Sequence, residues 1–193
     1  MCFRSMTSSC ALLAAALALA SPATAGDLVD HAGRAEAALA SGRATEAVDA
    51  LEAALDAVWK AAPLSFRKVV FVTAPPTGFG AFTPRKDTTF APGEPLLVYA
   101  EPIGFAWKPA GDGYGCDLVI DVALRDAGDR VIYEKREMGR MALTSHARNH
   151  EFMLKLDLKL RGLPAGDFTL VATVHDRVSE KQGTFTLPFT VKG

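Results

Sequence analysis

Soft metal ligands cluster in one stretch of the chain, between residues 138 and 153. Three methionines and two histidines lie there, and thioether sulfur and imidazole nitrogen are ligands that suit copper. Strand alternation places His150 and Met153 on opposite faces, so one ion cannot bind both. A copper site would use the remaining four side chains, the copper candidates Met138, Met141, His146 and His150. The alternative is a partly exposed loop whose side chains bind nothing.

Carboxylates are the other residues with a recognisable chemistry. Glu101, Asp117 and Asp121 suggest the paired acids of a glycosidase. Asp117 and Asp121 alternate with apolar residues, however, so we expect them on a solvated sheet face and not in a cleft. Cys116 shares the apolar face, which predicts a buried and unreactive thiol. Since the chain has no zinc-protease, phosphate-loop, dinucleotide or calcium-loop motif, we predict that it is not an enzyme.

Aromatic side chains in loops are the best candidates for partner binding. Phe79 and Phe82 lie in the Pro- and Gly-rich segment 74–87, where regular structure is unfavourable. Trp107 and Tyr114 flank a second turn-rich segment. Because long loops in compact domains tend to be functional, we predict that these four residues bind a partner. The alternative is that the two phenylalanines tuck under their loop and close one end of the domain.

The first 25 residues predict the compartment. Arg4 precedes an apolar run from 11 to 20, and small residues at 23 and 25 suit cleavage before Gly26. We therefore predict a signal peptide at 1–25 and a mature protein that is periplasmic or secreted. The apolar run is shorter than the about 20 residues of a membrane-spanning helix, so no membrane insertion is expected.

Signal removal also changes the charge and the cysteine count. The full chain has 21 basic and 22 acidic residues, and loss of Arg4 leaves a formal net charge of about −2. This balance gives no electrostatic basis for nucleic-acid binding. Cys2 and Cys10 leave with the signal, so Cys116 can form no internal disulfide. The remaining roughly 168 residues must be stabilised by a packed core.

Residues 26–62 carry the periodicity of two helices. Apolar residues recur three and four apart on both sides of Ser41-Gly42, and a glycine there suits a helix C-terminus. The pattern predicts a helical hairpin that precedes a second unit at 63–193.

The hairpin resembles a known repeat. The run Ala35-x-x-Ala-Leu-Ala-Ser-Gly-Arg-Ala-Thr-Glu-Ala-Val48, followed by Leu51-Glu-Ala-Ala-Leu55, is similar to one tetratricopeptide repeat. The resemblance implies a peptide-binding groove. The alternative is a hairpin that docks on the following domain through Leu51, Val58 and Trp59.

Residues 63–193 predict an all-β domain. From 152 to 160 every even position is Phe or Leu, which is the period-2 pattern of a half-buried strand. Strand patterns recur at intervals of about 8–12 residues without helical patterns between them, so antiparallel sheets are expected. The predicted strands are 66–73, 95–107, 115–125, 129–138, 149–160, 167–175 and 182–191.

The strand domain resembles an immunoglobulin- or fibronectin-III-like module. The resemblance rests on segment 90–101, on Leu163-Pro-Ala-Gly-Asp-Phe-Thr-Leu170 and on Leu187-Pro-Phe-Thr-Val191. It implies a mainly β fold, an antiparallel immunoglobulin-like sandwich of seven or eight strands after an N-terminal α-helical hairpin, and no particular activity. We predict a non-catalytic binding or structural module that engages a protein or an envelope component and needs no cofactor. A copper-binding protein using residues 138–153 is the alternative.

Overall fold

The computed structural model describes residues 23–160 and 162–193. The predicted signal peptide lies outside the described residues except for its last three, which begin the first helix. Within the described range, no helix combines the length and the apolar character needed to cross a membrane. Export of the protein stays a prediction.

Two helices form the predicted hairpin. Helix α1 spans Ala23–Ala40 and helix α2 spans Ala44–Ala61. The turn between them requires Gly42, whose φ of 74° is costly for a residue with a side chain. The helices meet through small side chains such as Ala35 and Ala47, which are buried. The larger apolar residues of the hairpin are left for other contacts.

Within the described ranges, nine strands follow and form two sheets around one core. They are β1 (Ser65–Phe71), β2 (Thr89–Phe90), β3 (Leu96–Ile103), β4 (Lys108–Ala110), β5 (Gly113–Asp126), β6 (Val131–Ser145), β7 (Leu154–Leu158), β8 (Gly166–Asp176) and β9 (Gln182–Val191). The smaller sheet has the order β1-β3-β7, and the larger has the order β2-β9-β8-β5-β4 with β6 paired to β5.

The seven strands of five or more residues match the seven predicted segments. This confirms a mainly β sandwich-like fold with an N-terminal helical hairpin. Every pairing between these seven strands is antiparallel, as expected. The two-residue strand β2 instead pairs in parallel with β9. The position of the predicted domain boundary, between 62 and 63, stays a prediction.

The core lies between the two sheets, and β7 shows how the sequence builds it. Leu154, Leu156 and Leu158 are buried, whereas Lys155 and Asp157 between them are exposed. This is the alternation that the sequence predicts. The strand is shorter than expected, so residues 149–153 lie in the preceding connection.

Strand β6 differs most from the prediction, which ended it at residue 138. It continues to Ser145, so Met138 and Met141 belong to a strand and not to a loop. A bulge interrupts its pairing with β5 near Glu137, whose φ is 48°. Asp121 stabilises the bulge because its Oδ1 accepts a hydrogen bond from the Glu137 N–H at 2.7 Å.

Candidate functional site

The last turn of α2 attaches the hairpin to the sandwich. Trp59 is buried there, with its ring edge-on to Phe105 at 5.4 Å and to His150 at 4.6 Å between centroids. Docking through Trp59 agrees with the alternative drawn from the sequence. The expectation that Leu51 and Val58 also dock is wrong, because both side chains are about half exposed.

A lysine fixes the end of α2. The Lys181 ammonium donates hydrogen bonds to the backbone oxygens of Lys60, Ala62 and Gly104 at 2.9, 2.7 and 2.9 Å. A cation at this position also complements the negative end of the helix dipole. Burial lowers the pKa of Lys181, and the nearby Asp176 carboxylate partly opposes this effect.

Gly104 allows the close approach that this arrangement needs. A Cβ atom at this position would lie 2.3 Å from the carbonyl oxygen of Pro63, and the residue has a φ of 78°. Any side chain would therefore push the helix end away from the sandwich.

An ion pair one turn before Trp59 adds a second attachment. The Asp56 carboxylate contacts the Arg148 guanidinium, which also lies over the Tyr114 ring, 5.2 Å from its centroid. His150 Nε2 lies 3.1 Å from Asp56 Oδ1, but the N–H direction is not aligned for a hydrogen bond. The segment between β6 and β7 is therefore held against the helix by charge and by ring contacts.

Two hollows flank this ion pair. The first, about 680 Å³, lies between α2 and residues 147–151 and is also lined by Leu55 and Tyr114. The second, about 500 Å³, lies under the end of α2 and is lined by Trp59 and Trp107. The structure thus brings two of the predicted partner-binding residues, Trp107 and Tyr114, to the junction of hairpin and sandwich.

One face of the hairpin leaves large apolar side chains in water. Leu39 of α1 is 66% exposed, and Val48, Leu51, Leu55 and Val58 of α2 are 54, 55, 41 and 45% exposed. The α2 residues are three and four apart, so they form one line along the helix. We call these five residues the hairpin face.

The hairpin face combines both helices. The groove on the opposite side of the hairpin is lined by Arg34 of α1 and by Asp49 and Ala50 of α2. With a rotation of about 100° per residue, Leu39 and Leu51 lie on the other side of the α1–α2 contact from that groove. The face therefore runs across the helix pair and reaches the first hollow at Leu55.

The other two predicted partner-binding residues lie elsewhere. Phe82 stacks on the buried Tyr99 ring of β3 with centroids 4.0 Å apart, and the Arg67 guanidinium lies 5.3 Å from the Phe79 centroid. The Tyr99 hydroxyl accepts a hydrogen bond from the Gly80 N–H at 2.8 Å. The loop therefore folds back over the outer face of the smaller sheet, with both phenylalanines half-buried beneath it.

The copper candidates have separate surroundings. Met138 and Met141 pack against the core, whereas the exposed His146 has Nδ1 at 3.8 Å from Asp112 Oδ2. His150 lies at the hairpin junction, beside Trp59. No three His, Cys, Asp or Glu residues within the described ranges form a group that could hold a metal. Copper binding through thioethers stays a prediction.

The three carboxylates considered for hydrolysis lie on two different sheets. Glu101 of β3 is buried, and it binds the Arg67 guanidinium at 3.0 Å and the Tyr99 hydroxyl at 2.9 Å. Asp117 and Asp121 of β5 alternate with core residues and lie on the outer face of the larger sheet, as predicted, where both are partly buried. Each of the three carboxylates is bound to another side chain of the fold, so no two of them form the unoccupied pair that a glycosidase needs.

Side chains on neighbouring strands bind the two aspartates of β5. Both oxygens of Asp117 accept hydrogen bonds from Arg140, at 2.8 and 2.7 Å, and this contact lowers the pKa of Asp117. Asp121 lies 3.0 Å from the His175 ring nitrogen. Cys116 is buried as predicted, and burial raises the pKa of its thiol to about 11.

Comparisons with known proteins give no family. No family model and no curated protein matches the chain. Among solved structures it is similar to a PKD domain of an M14-like peptidase from a Thermoplasmatales archaeon, with 11% identity, 68% of this chain and 98% of that chain covered, and a TM-score of 0.35. A Niemann-Pick type C2 protein from the Japanese carpenter ant matches with 9% identity, coverage of 68% and 94%, and a TM-score of 0.39. These similarities carry no argument about function.

Proposed function

We propose that the protein is a non-catalytic binding module that acts in the periplasm or outside the cell. In this proposal the immunoglobulin-like sandwich is a rigid support, and the hairpin face engages a protein partner. The compartment rests on the signal-like character of residues 1–25.

The hairpin face is the observation that carries this proposal. Five large apolar side chains, each at least 41% exposed, lie together on two packed helices. Large contiguous apolar patches are uncommon on monomeric soluble proteins, and they mark interaction sites. An exposed leucine by itself needs no explanation, but an aligned set does.

The attachment of the hairpin to the sandwich supports the proposal that the hairpin face is held in position for a partner. Trp59 and Lys181 hold α2 at its end, so the helix projects with a defined orientation. Tyr114 lies in the first hollow, which adjoins the hairpin face at Leu55. A partner seated on the face can therefore also reach this predicted binding residue.

The carboxylates considered for catalysis are bound to other side chains of the fold, which supports a function without catalysis. Glu101 and Asp117 each contact an arginine, and Asp121 contacts a histidine. The paired acids of a glycosidase would need unoccupied carboxylates that face one cleft, and a nucleophilic cysteine would need a thiolate. The Cys116 thiol, with its pKa raised to about 11, does not supply one at neutral pH.

In-cell crosslinking with paired variants tests the proposal. The full chain is expressed with its own N-terminus, crosslinked and purified, and bound proteins are identified by mass spectrometry. We expect one specific protein that is lost in Leu51→Gln/Leu55→Gln. Val29→Gln is the matched control, because Val29 is 71% exposed on the hairpin but lies outside the hairpin face.

Two further results separate the possible surfaces. If the same protein is retained in Leu51→Gln/Leu55→Gln but lost in Phe79→Ala/Phe82→Ala, the loop on the smaller sheet is the binding surface and the hairpin face is not. Retention in both variants contradicts a binding role for either surface. Far-ultraviolet circular dichroism of each variant shows whether the fold is intact.

A further inference from the structure

Charge is distributed unevenly between the hairpin and the sandwich. The hairpin segment 26–62 contains seven acidic and three basic residues, a formal net charge of −4. Residues 63–193 contain 15 acidic and 17 basic residues, a formal net charge of +2. The apolar hairpin face therefore lies on the acidic part of an otherwise nearly neutral molecule.

Two of the acidic residues lie at the borders of the hairpin face. Helical periodicity places Glu36 beside Leu39 at the outer edge of α1, and Glu52 beside Val48 and Leu55 at the outer edge of α2. Both glutamates are exposed, and within the described residues neither forms an ion pair. Each border of the face thus carries an unneutralised negative charge.

The basic residues of the hairpin lie away from the face. Arg34 lines the opposite groove, and Arg43 binds Glu46 at 2.9 Å. Lys60 lines the second hollow under the helix end. The first hollow, which extends the face, is lined by Glu151 and by Arg148, whose charge is paired with that of Asp56. The surface around the apolar line is therefore acidic on both sides.

From this combination we infer that the hairpin face binds a basic amphipathic helix of its protein partner. The inference rests on the proposed function and names the partner's chemistry. Val48 to Val58 covers about 15 Å along α2, or about three helical turns. A matching segment has apolar residues at i, i+3 or i+4, and i+7, with Lys or Arg on both sides of that line.

A second copy of this chain does not offer basic residues on both sides of an apolar line, as the hairpin face requires. Two hairpin faces in contact would bring Glu36 and Glu52 of both copies to one interface. Like charges placed together oppose association, and each hairpin carries a net −4. Opposite charges on the partner helix add attraction and direct its orientation.

Binding of a designed peptide tests the inference. The probe is a fluorescein-labelled, 14-residue helical peptide with leucines on one face and lysines beside them, and the control peptide has glutamates in place of the lysines. Fluorescence anisotropy with the full chain measures both affinities. We expect the lysine peptide to bind at least tenfold more tightly at low salt, with the difference reduced in about 0.5 M NaCl.

Variants of the chain separate the apolar and the charged contributions. Leu51→Gln/Leu55→Gln is expected to weaken the lysine peptide about 100-fold, since each buried leucine is worth about tenfold or more. Glu36→Gln/Glu52→Gln should weaken it about three- to tenfold and reduce its salt dependence. The matched charge control is Asp30→Asn/Asp49→Asn, one residue on each helix outside the face, with no expected change beyond about twofold.

The outcomes distinguish this inference from the proposed function. If Leu51→Gln/Leu55→Gln weakens both peptides equally and Glu36→Gln/Glu52→Gln changes nothing, the face binds apolar helices without charge selection and the inference is wrong. If neither peptide binds while the crosslinked partner still depends on the face, the partner is not a basic helix. Concentration-dependent dimers that are lost in Leu51→Gln/Leu55→Gln would show that a second copy covers the face.

Discussion

The lysine at the hairpin junction provides a direct test of how the two parts are joined. Lys181→Met removes the ammonium group but keeps a side chain of similar length. The backbone oxygens of Lys60, Ala62 and Gly104 then lose their shared donor, at the position where α2 meets the sandwich. We therefore expect the variant to fold with a weakened junction.

The size of the effect follows from the three hydrogen bonds. A partly buried acceptor that loses its donor costs about 1 kcal/mol or more, so three give about 3–5 kcal/mol. Desolvation of the ammonium, which lowers the pKa of Lys181, offsets part of this amount. We expect a net loss of about 2 kcal/mol, or a decrease in melting temperature of about 4–8 °C for a chain of this size.

Urea denaturation followed by tryptophan fluorescence measures this change. The chain has two tryptophans, and both Trp59 and Trp107 line the hollow under the end of α2. Lys155→Met is the control, because Lys155 is exposed on β7 and makes no side-chain hydrogen bond among the described residues. Equal denaturation midpoints for the two variants would refute the stabilising role of Lys181.

Three further experiments test the chemistry of individual groups. Burial in the folded state raises the pKa of Cys116 from 9.0 to about 11. Its contribution of about 2–3 kcal/mol to the free energy of unfolding is therefore complete below pH 9 and lost as the pH rises through 11. Unfolding measured as a function of pH checks this, and the thiol of the native chain should be alkylated slowly at pH 8. Arg140 lowers the Asp117 pKa from 3.8, so Asp117→Asn should destabilise at pH 7 and match the wild type at pH values below the folded pKa. Copper titration should give weak binding that is unchanged when all four copper candidates are replaced, and stoichiometric binding lost in that variant would support the copper alternative instead.

Periodicity is the part of this fold that the sequence predicts well. In β7 the alternation of leucines with Lys155 and Asp157 is visible in the sequence because one face is buried and the other is solvated. Gly42 likewise marks the hairpin turn, since a φ of 74° is accessible mainly to glycine. Both features depend on neighbours in the chain, which a sequence displays directly.

The length of β6 was beyond such local reasoning. The prediction missed residues 139–145, none of which is fully buried, so this part of the strand has no buried face that the sequence could show as an alternation. The bulge at Glu137 also changes which residues face the core after it, and Met138 and Met141 both pack there despite their odd spacing. A hydrogen bond from Asp121, in another strand, stabilises that bulge.

The junction could not be predicted for a related reason. Lys181 contacts Lys60 across 121 residues of chain, and nothing near Lys181 in the sequence indicates a helix end as its partner. The sequence offers Leu51, Val58 and Trp59 together as docking residues, but only Trp59 is buried. A sequence shows which residues of a helix are apolar, but it does not show how much of each apolar face the rest of the fold covers.

The same junction explains why the hairpin face stays uncovered. Turning α2 to bury Leu51 and Val58 against the sandwich would withdraw Trp59 from Phe105 and separate Lys181 from the two oxygens at the helix end. Loss of a buried tryptophan contact alone costs about 3–5 kcal/mol, whereas burying two half-exposed side chains returns only part of about 1.5–3 kcal/mol for each. The orientation that exposes the face is therefore the more stable one, and a partner that binds there does not need to reorient the helices first.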